Sequence, residues 1–351
     1  MTARVAWIDA AKGFAIALVV FGHVLGGTLA RGWLDDAGPW KKVYDYIYLF
    51  HMPLFFMVAG FFCIEAMRKS PINALLAKIG SIAWPYLVWN VLVAAALMPI
   101  AGMFMSNPAN VSWSEWLSKA VRGELSWFLW TLFVLQVILI PLARIPAWIL
   151  FVVSLAALTF LPQPPLGAFA NVVRFAPFLL FGAMIHPILG KLSIAGRWPH
   201  CAAAIAAFLL IALAYQFGLT SYALVSVVCG ILGSLASILL VQCLPNALGQ
   251  KLLPSLGLAS LAIFVLHPYF QGAAREIITR TAGSSPYLQL LMVTTVAIAG
   301  PFAVWEAAER LGAAWLFRLR LHANFQRSST ADRLDWPDET QGKCADAAQV
   351  R

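Results

Sequence analysis

Ten apolar stretches follow one another along the chain, and short polar segments separate them. A helix needs about 20 apolar residues to cross the hydrocarbon core of a bilayer. The pattern therefore predicts an all-α integral membrane protein with about ten transmembrane helices. The predicted spans are 7–30, 44–64, 79–101, 126–143, 146–161, 169–189, 200–217, 219–244, 257–273 and 287–306.

Two junctions between predicted spans are very short. Residues 144–146 alone divide the fourth span from the fifth, and a turn near Gly218 divides the seventh from the eighth. One span more or fewer would reverse the orientation of every later span, so the predicted topology depends on these two turns.

Composition agrees with a membrane protein, because 61% of the residues are hydrophobic and only 11% are charged. A soluble domain carries about 25% charged residues. The net charge of +9 comes without a basic helix or an aromatic RNA motif, so we expect membrane lipid as a partner and no nucleic acid. The five cysteines form no CxxC pair, and we expect no metal site.

An even number of spans places both termini on one side of the membrane. Basic residues in the short loops balance at seven on each side, and Arg4 with the C-terminal arginines favours a cytoplasmic location for both termini. We interpret residues 1–322 as the transmembrane domain. Residues 323–351 are polar, and we expect them to form a disordered tail.

The first span carries Lys12 and His23, with ten residues between them, and Asp9 one turn before Lys12. Eleven helical steps return to nearly the same face, about 16 Å further along. Charge at membrane depth is costly, so this pair marks a candidate functional site. An imidazole suits a general base, and it equally suits a hydrogen bond that packs a neighbouring helix. Spacing alone leaves both interpretations open.

The run RVAWIDAAKGFAIALVVFGH, which holds these three residues, is followed by five further motifs in a fixed order. They are FHMPLFFMVAGFF (50–62), KIGSIAWPYLVW (78–89), LSWFLWTLFVL (125–135), VVRFAPFLLFGAMI (172–185) and LGLASLAIFVLHPYF (256–270). The ordered set, over about residues 4–275, resembles acyltransferase family 3. In that family the first helix carries an Asp, a basic residue three positions later, ten residues, and then a His. The FHMPLFF form is most similar to the fucose 4-O-acetylase-like branch.

The resemblance implies a ten-helix enzyme of the bacterial inner membrane that moves an acyl group, usually acetyl from acetyl-CoA, onto a hydroxyl of a sugar or glycan. It implies that His23 is the catalytic base and that Lys12, beside Asp9, occupies the family's basic position. The chain has Ala59 where many members have Ser, and Lys78 with Ser81 where many have two Arg. The acceptor, free or lipid-linked, therefore stays open, and succinyl transfer is an alternative to acetyl transfer.

CoA is polyanionic, so its nucleotide end needs cations at the cytoplasmic surface. Four basic residues fall at the inner ends of the predicted helices and are candidates for binding the acyl donor. An alternative is that the positive-inside rule places them there without any role in binding. These residues are Lys12, Arg68, Lys69 and Lys78.

A second group of polar residues lies toward the outer half, at the predicted depth of His23. We expect His51, Arg174, Glu124 and His267 to line an acceptor cleft, although isolated polar residues near an interface are also common. Pro53 follows His51 and interrupts the backbone hydrogen bonds, and such breaks usually line a cavity in membrane proteins.

The spacing of Gly22 and Gly26 favours close packing of a neighbouring helix rather than an oxyanion hole. The sequence contains no GxSxG motif, so direct attack of the acceptor on the donor is simpler than a serine acyl-enzyme. Two other functions stay open: a transporter or exporter of a small polar solute, and a signalling scaffold without catalysis.

Overall fold

A computed structural model of the chain describes residues 6–97, 113–161, 168–189, 197–282, 285–319 and 321. Within these ranges the regular elements are helical, as the apolar pattern predicts, and none is a β-strand. The predicted tail and residues 98–101 of the third predicted span lie outside them. The α-helices are α1 (Ala6–Leu29), α2 (Pro39–Tyr48), α3 (His51–Gly60), α4 (Cys63–Lys69), α5 (Pro71–Lys78), α6 (Trp84–Leu97), α7 (Trp113–Val121), α8 (Trp127–Leu142), α9 (Ala147–Phe160), α10 (Ala168–Leu189), α11 (Arg197–Gln216), α12 (Ala223–Cys243), α13 (Leu253–Leu258), α14 (Ser260–Ala282) and α15 (Pro286–Arg310).

Six helical stretches are long and apolar enough to cross a membrane by length and composition. They are Trp7–Leu29, Pro39–Lys69, Pro71–Leu92, Trp198–Gln216, Ala223–Cys243 and Pro286–Arg310. A seventh would be the pair Ala247–Leu258 and Ser260–Thr281, whose axes meet at 75°.

The remaining three predicted spans correspond to shorter apolar helices: Trp127–Leu142, Ala147–Phe160 and Phe169–Ile185. The helices α8 and α9 have 16 and 14 residues. At 1.5 Å per residue they reach about 24 and 21 Å, which is short of a hydrocarbon core of about 30 Å. The predicted apolar segments are thus helical in the described residues, but the count of ten transmembrane helices is not confirmed.

The first helix lies at the centre of the described bundle and contacts α2, α3, α12, α13, α14 and α15. Trp7 meets Phe61 with ring centroids 5.8 Å apart, whereas Gly22 faces Tyr48 near the other end of α1. The segment α2–α3 therefore runs antiparallel to α1. We call the two ends of the bundle the Asp9 end and the His23 end.

Two pairs of glycines allow the closest helix crossings. A Cβ on Gly13 would strike the carbonyl oxygen of Leu253, and a Cβ on Gly257 would strike that of Asp9. This pair fixes α1 against α13 at the Asp9 end. A second crossing, of α3 with α10, uses Gly60 and Gly182 in the same way.

Both described ends of the chain lie at the Asp9 end. After α15 the chain turns at Gly312, where φ is +72°. The carbonyls of Trp315 and Leu316 then accept hydrogen bonds from the indoles of Trp84 and Trp89, at 2.7 and 3.0 Å. The end of α15 also borders a cavity with Ser255, two residues before the glycine that contacts Asp9.

Candidate active site

A cavity of about 780 Å³ opens at the His23 end of the bundle. Side chains from α1, α2, α3, α6, α7, α8, α10, α11, α12 and α14 line it. Three of the lining residues are histidines that belong to three different helices, namely His23, His51 and His267. We call this space the His23 cavity.

His23 has an exposed side chain although it lies on the central helix, and it lines this cavity. Its Nδ1 lies 3.1 Å from Nε2 of His267, and the two ring centroids are 4.9 Å apart. The exposed surface of the ring therefore opens onto the cavity, and one of its nitrogens is occupied by a second histidine.

The partners of His267 identify which nitrogen carries its proton. Its Nδ1 lies 2.8 Å from the carbonyl oxygen of Phe264 and 3.0 Å from that of Ile263. Carbonyls only accept, so this Nδ1 must donate. Pro268 has no N–H, and it therefore leaves the Phe264 carbonyl without its usual i+4 donor and open to the imidazole.

A neutral His267 that donates through Nδ1 can only accept at Nε2. In the hydrogen bond that joins the two rings, His23 must then donate from Nδ1. The network assigns His23 the tautomer whose Nε2 holds a free lone pair. That nitrogen is the atom a general base would use.

His51 has a similar arrangement at the start of α3. Its Nδ1 lies 2.8 Å from the carbonyl oxygen of Ile47, so its Nε2 also holds a lone pair. Only 1% of this residue is exposed, and the ring of Tyr48 packs edge-on against it with centroids 4.6 Å apart. Pro53, beside the break between α2 and α3, lines the cavity as well.

Arg174 lines the cavity and is exposed, with no hydrogen-bond or ion-pair partner among the residues that the structure describes. Glu124 does not line the cavity. Its carboxylate lies 2.7 Å from Nε of Arg122, and both side chains are about half exposed. The structure thus brings together His23, His51, His267 and Arg174 and leaves Glu124 outside.

The candidate donor-binding residues are all absent from the lining of this cavity. Lys12 forms an ion pair of 2.5 Å with Asp9, and Lys69 forms one of 3.0 Å with Glu65. Arg68 donates from Nε to the carbonyl of Ala143 at 2.5 Å, at the end of α8. Lys78 is half-buried and lies near Cys63. The candidate donor-binding residues therefore lie away from the His23 cavity, and Lys12 lies toward the other end of α1 from His23.

Comparison with known proteins identifies the family. A family model described as an acyltransferase domain matches residues 5–306. The chain belongs to this acyltransferase family. The matched range contains all of the predicted site residues, and the resemblance to acyltransferase family 3 is confirmed.

Two curated proteins to which this chain is similar are nodulation proteins NolL. The NolL of Mesorhizobium japonicum is 26% identical over 184 residues, which are 52% of this chain and 48% of the relative. The NolL of Sinorhizobium fredii is 29% identical over 183 residues, which are 50% of this chain and 46% of the relative. The chain thus spans about half the length of the curated relatives it matches. No solved structure matches it.

The positions that differ from the common pattern of the acyltransferase family lie outside the His23 cavity. Ala59 precedes Gly60, which forms the tight crossing of α3 with α10. Ser81 lies in the π-helical segment Ile79–Ala83 between α5 and α6. Neither Ala59 nor Ser81 lines the cavity of the described residues.

Sequence reasoning missed one wall of the His23 cavity. This wall carries Tyr44, Asp45, Tyr48 and Tyr215. Both carboxylate oxygens of Asp45 lie 2.6 Å from Nζ of Lys41, and one accepts a hydrogen bond of 2.8 Å from Tyr215. The second predicted span begins at residue 44, whereas α2 begins at Pro39. Proline at a helix start and the i,i+4 pair of Lys41 and Asp45 were the signals that could have extended it.

The spacing of Gly22 and Gly26 predicted close packing of a neighbouring helix, and α2 packs against α1 at these two positions. A Cβ on Gly26 would lie 2.7 Å from the ring of Tyr44, and a Cβ on Gly22 would lie 3.1 Å from the ring of Tyr48. The two tyrosines of α2 can therefore lie directly on α1 beside His23. This packing brings the missed wall to the cavity.

Proposed function

We propose that the protein is a membrane-embedded O-acyltransferase that moves an acetyl group from acetyl-CoA to a hydroxyl of a sugar or glycan, with His23 as the general base. Membership of the acyltransferase family supports transfer of an acyl group. The identity of the donor, the identity of the acceptor and the role of His23 as base are part of this proposal.

One observation carries the proposal. The ring of His23 has exposed surface on a cavity of about 780 Å³, and its Nδ1 is bonded to His267 at 3.1 Å. A cavity of this size falls within the usual range for small-molecule sites. The free Nε2 lone pair is suited to accept a proton from a hydroxyl group bound there.

The proposed reaction is a direct transfer. His23 Nε2 takes the proton of the acceptor hydroxyl while the hydroxyl oxygen forms a bond to the thioester carbonyl carbon. The tetrahedral intermediate then collapses, the C–S bond breaks, and CoA leaves as the thiolate. The imidazolium of His23 returns its proton to that thiolate, so the enzyme ends in its starting state. Binding both substrates in one cavity removes much of the entropic barrier.

The donor would enter from the Asp9 end, and we propose that this end faces the cytoplasm of a bacterial inner membrane. The polyanionic part of CoA would bind near Lys12, Arg68, Lys69 and Lys78, with Asp9 holding Lys12. About 16 Å of α1 separates Lys12 from His23, a length that the extended pantetheine arm is suited to span.

The acceptor would bind in the His23 cavity itself. Its aromatic and polar side chains, among them Tyr44, Trp127 and Asn171, suit a sugar ring with several hydroxyl groups. Arg174 would contact an oxygen or an anionic group of the acceptor, and His51 would accept a hydrogen bond from a second hydroxyl. The curated relatives are nodulation proteins and support no narrower acceptor class.

The test uses the full chain in lipid nanodiscs with radiolabelled acetyl-CoA, and with free fucose plus a glycan fraction from cell envelopes as acceptors. Label in an ester bond to the glycan supports the proposal. Succinyl-CoA in place of acetyl-CoA tests the alternative acyl group. Uptake of the same sugars by proteoliposomes, without any transfer of label, would replace the enzyme with a transporter.

A further inference from the structure

Three side chains at successive fourth positions of α14 lie against the part of α1 that carries His23. Residues four apart share one helix face, so His267, Gln271 and Arg275 form a single row. His267 bonds to the ring of His23 at 3.1 Å. Gln271 donates from Nε2 to the main-chain carbonyl of His23 at 3.3 Å, and Arg275 donates from Nη2 to that of Val24 at 2.9 Å.

Arg275 is a buried cation at the contact of α14 with α1. Only 6% of it is exposed, and no acidic side chain in the described part of the chain forms an ion pair with it. Its Nε is buried and has no hydrogen-bond partner. A buried cation without an acidic partner carries a desolvation cost, so the burial of Arg275 between α14 and α1 calls for a role other than stability.

The surface of α1 is shaped to receive this guanidinium. At Gly27 a Cβ would collide with the guanidinium, whose Nη1 is the nearest atom. The carbonyl of Val24 that accepts from Arg275 also accepts a hydrogen bond of 2.8 Å from the hydroxyl of Thr28. The absent side chain at Gly27 is therefore what lets Arg275 reach the backbone of α1.

We propose that Gln271 and Arg275 are positioning residues that hold the main chain of α1 around His23. Neither side chain lines the His23 cavity, so neither is placed to touch substrate. Their hydrogen bonds to two consecutive carbonyls fix the height and rotation of α1 relative to α14. That alignment keeps His23 Nδ1 on His267 and Nε2 toward the cavity.

This inference rests on the proposed role of His23 as the base. The geometry of a base matters because a misplacement of about 1 Å can reduce a catalysed rate about hundredfold. Loss of the alignment should therefore reduce kcat, while the binding of acetyl-CoA at a separate position changes little.

The main test compares Arg275→Met with Arg280→Met in the nanodisc transfer assay. Arg280 belongs to the same helix but is exposed and paired with Glu276 at 2.6 Å, which makes it a matched control. We expect Arg275→Met to lower kcat about ten- to hundredfold, with KM for acetyl-CoA within about threefold and a melting temperature that does not fall. The control should keep the kcat of the original chain.

A second variant removes the same contact from the other helix. Gly27→Ala should displace Arg275 and lower kcat to a similar extent, and the double variant should be no worse than either single variant, because both remove one interaction. An unchanged kcat in Arg275→Met would overturn the inference. Additive losses in the double variant, or a loss confined to KM, would overturn it as well.

A spectroscopic measurement decides the inference without any transfer assay. Chains with ¹⁵N-labelled histidine should show one His23 tautomer, with the signals assigned by their loss in His23→Gln. Arg275→Met should introduce the second tautomer, whereas Arg280→Met should not. Identical spectra in the original chain and Arg275→Met would refute the positioning role. Absence of transfer by the original chain would instead refute only the proposed function.

Discussion

His23 and His51 both leave Nε2 with a lone pair in the hydrogen-bond network, yet only His23 has an exposed side chain. A base must reach the proton it removes, within about 2.6–3.2 Å of the donor atom. His51 is 1% exposed and lies behind Tyr48, so less of its ring than of the His23 ring is open to the cavity. The difference in exposure is therefore the reason to assign the base to His23.

Replacement of the base should be the most damaging single change in the cavity. We expect His23→Gln to lower kcat by about 10²–10⁴-fold, the usual contribution of general base catalysis. Yield and melting temperature in nanodiscs should stay near those of the original chain, since the His23 ring borders an open cavity and its replacement leaves no void in a packed core. His200→Gln at the start of α11 serves as the control. Full activity in His23→Gln would remove this residue from the mechanism.

The role of His267 can be separated from its volume by two substitutions. His267→Gln can still offer an oxygen to Nδ1 of His23, whereas His267→Met offers no comparable acceptor. We expect a loss in kcat of about a hundredfold for Met, by analogy with supporting contacts that orient reactive imidazoles, and a clearly smaller loss for Gln. Transfer assays with varied acetyl-CoA give both kcat and KM. Equal losses for the two variants would mean that His267 acts through packing alone.

Among the elements, the crossing of α1 with α13 is the least able to accept added volume. The atom facing Gly257 is a backbone oxygen of Asp9, and backbone cannot move aside as a flexible side chain can. We expect Gly257→Ala to destabilise the protein by about 1–3 kcal/mol, as overpacking does. Denaturation of the purified chain in mixed detergent micelles measures this change.

Gly272 offers the matched control for this substitution. It lies in α14, and no heavy atom comes within 4 Å of the position of an added Cβ. We expect Gly272→Ala to be neutral or to stabilise by up to about 1 kcal/mol, because alanine is the better helix former. If the two alanines have equal effects, the close contact at Gly257 does not limit stability.

The elements also show how far an apolar pattern can predict structure. Each of the ten predicted spans corresponds to a helix or a bent pair of helices in the described residues. This is because hydrophobicity and helix propensity are local properties of a sequence. The pattern began α2 too late, since Lys41 and Lys42 lower the hydrophobicity of its first turn, although Lys41 pairs with Asp45 one turn later. It also could not see that the ninth segment bends by 75° between Leu258 and Ser260.

At the scale of the whole molecule, the arrangement of the two ends predicts accessibility. The loop before α2 lies at the His23 end and the start of α5 lies at the Asp9 end, and Ala37 and Asn73 in these regions are exposed. In a variant without the native cysteines, we expect Ala37→Cys to react with an impermeant maleimide in intact cells. Asn73→Cys should react only after the cells are opened. The reverse pattern would place the His23 cavity on the cytoplasmic side.

The sequence by itself determined the helical class, the order of the apolar segments and the placement of Lys12 and His23 along one helix. These follow from composition and from the geometry of a single helix, so no other part of the chain is needed. The family motifs, read in order, indicated acyl transfer before any contact was known.

Only the tertiary structure decided which residues meet. His23 and His267 are 244 positions apart, and their contact depends on the packing of α14 along α1. That contact fixes the tautomer of His23. His267, which the sequence analysis expected to contact the acceptor, therefore supports the proposed base instead, and Arg275 of the same helix contacts α1 beside it. The packing of the helices also leaves Glu124 outside the cavity and brings the wall around Asp45 to it. Periodicity specifies the face of a helix, whereas the side chain opposite that face depends on how all the helices pack together.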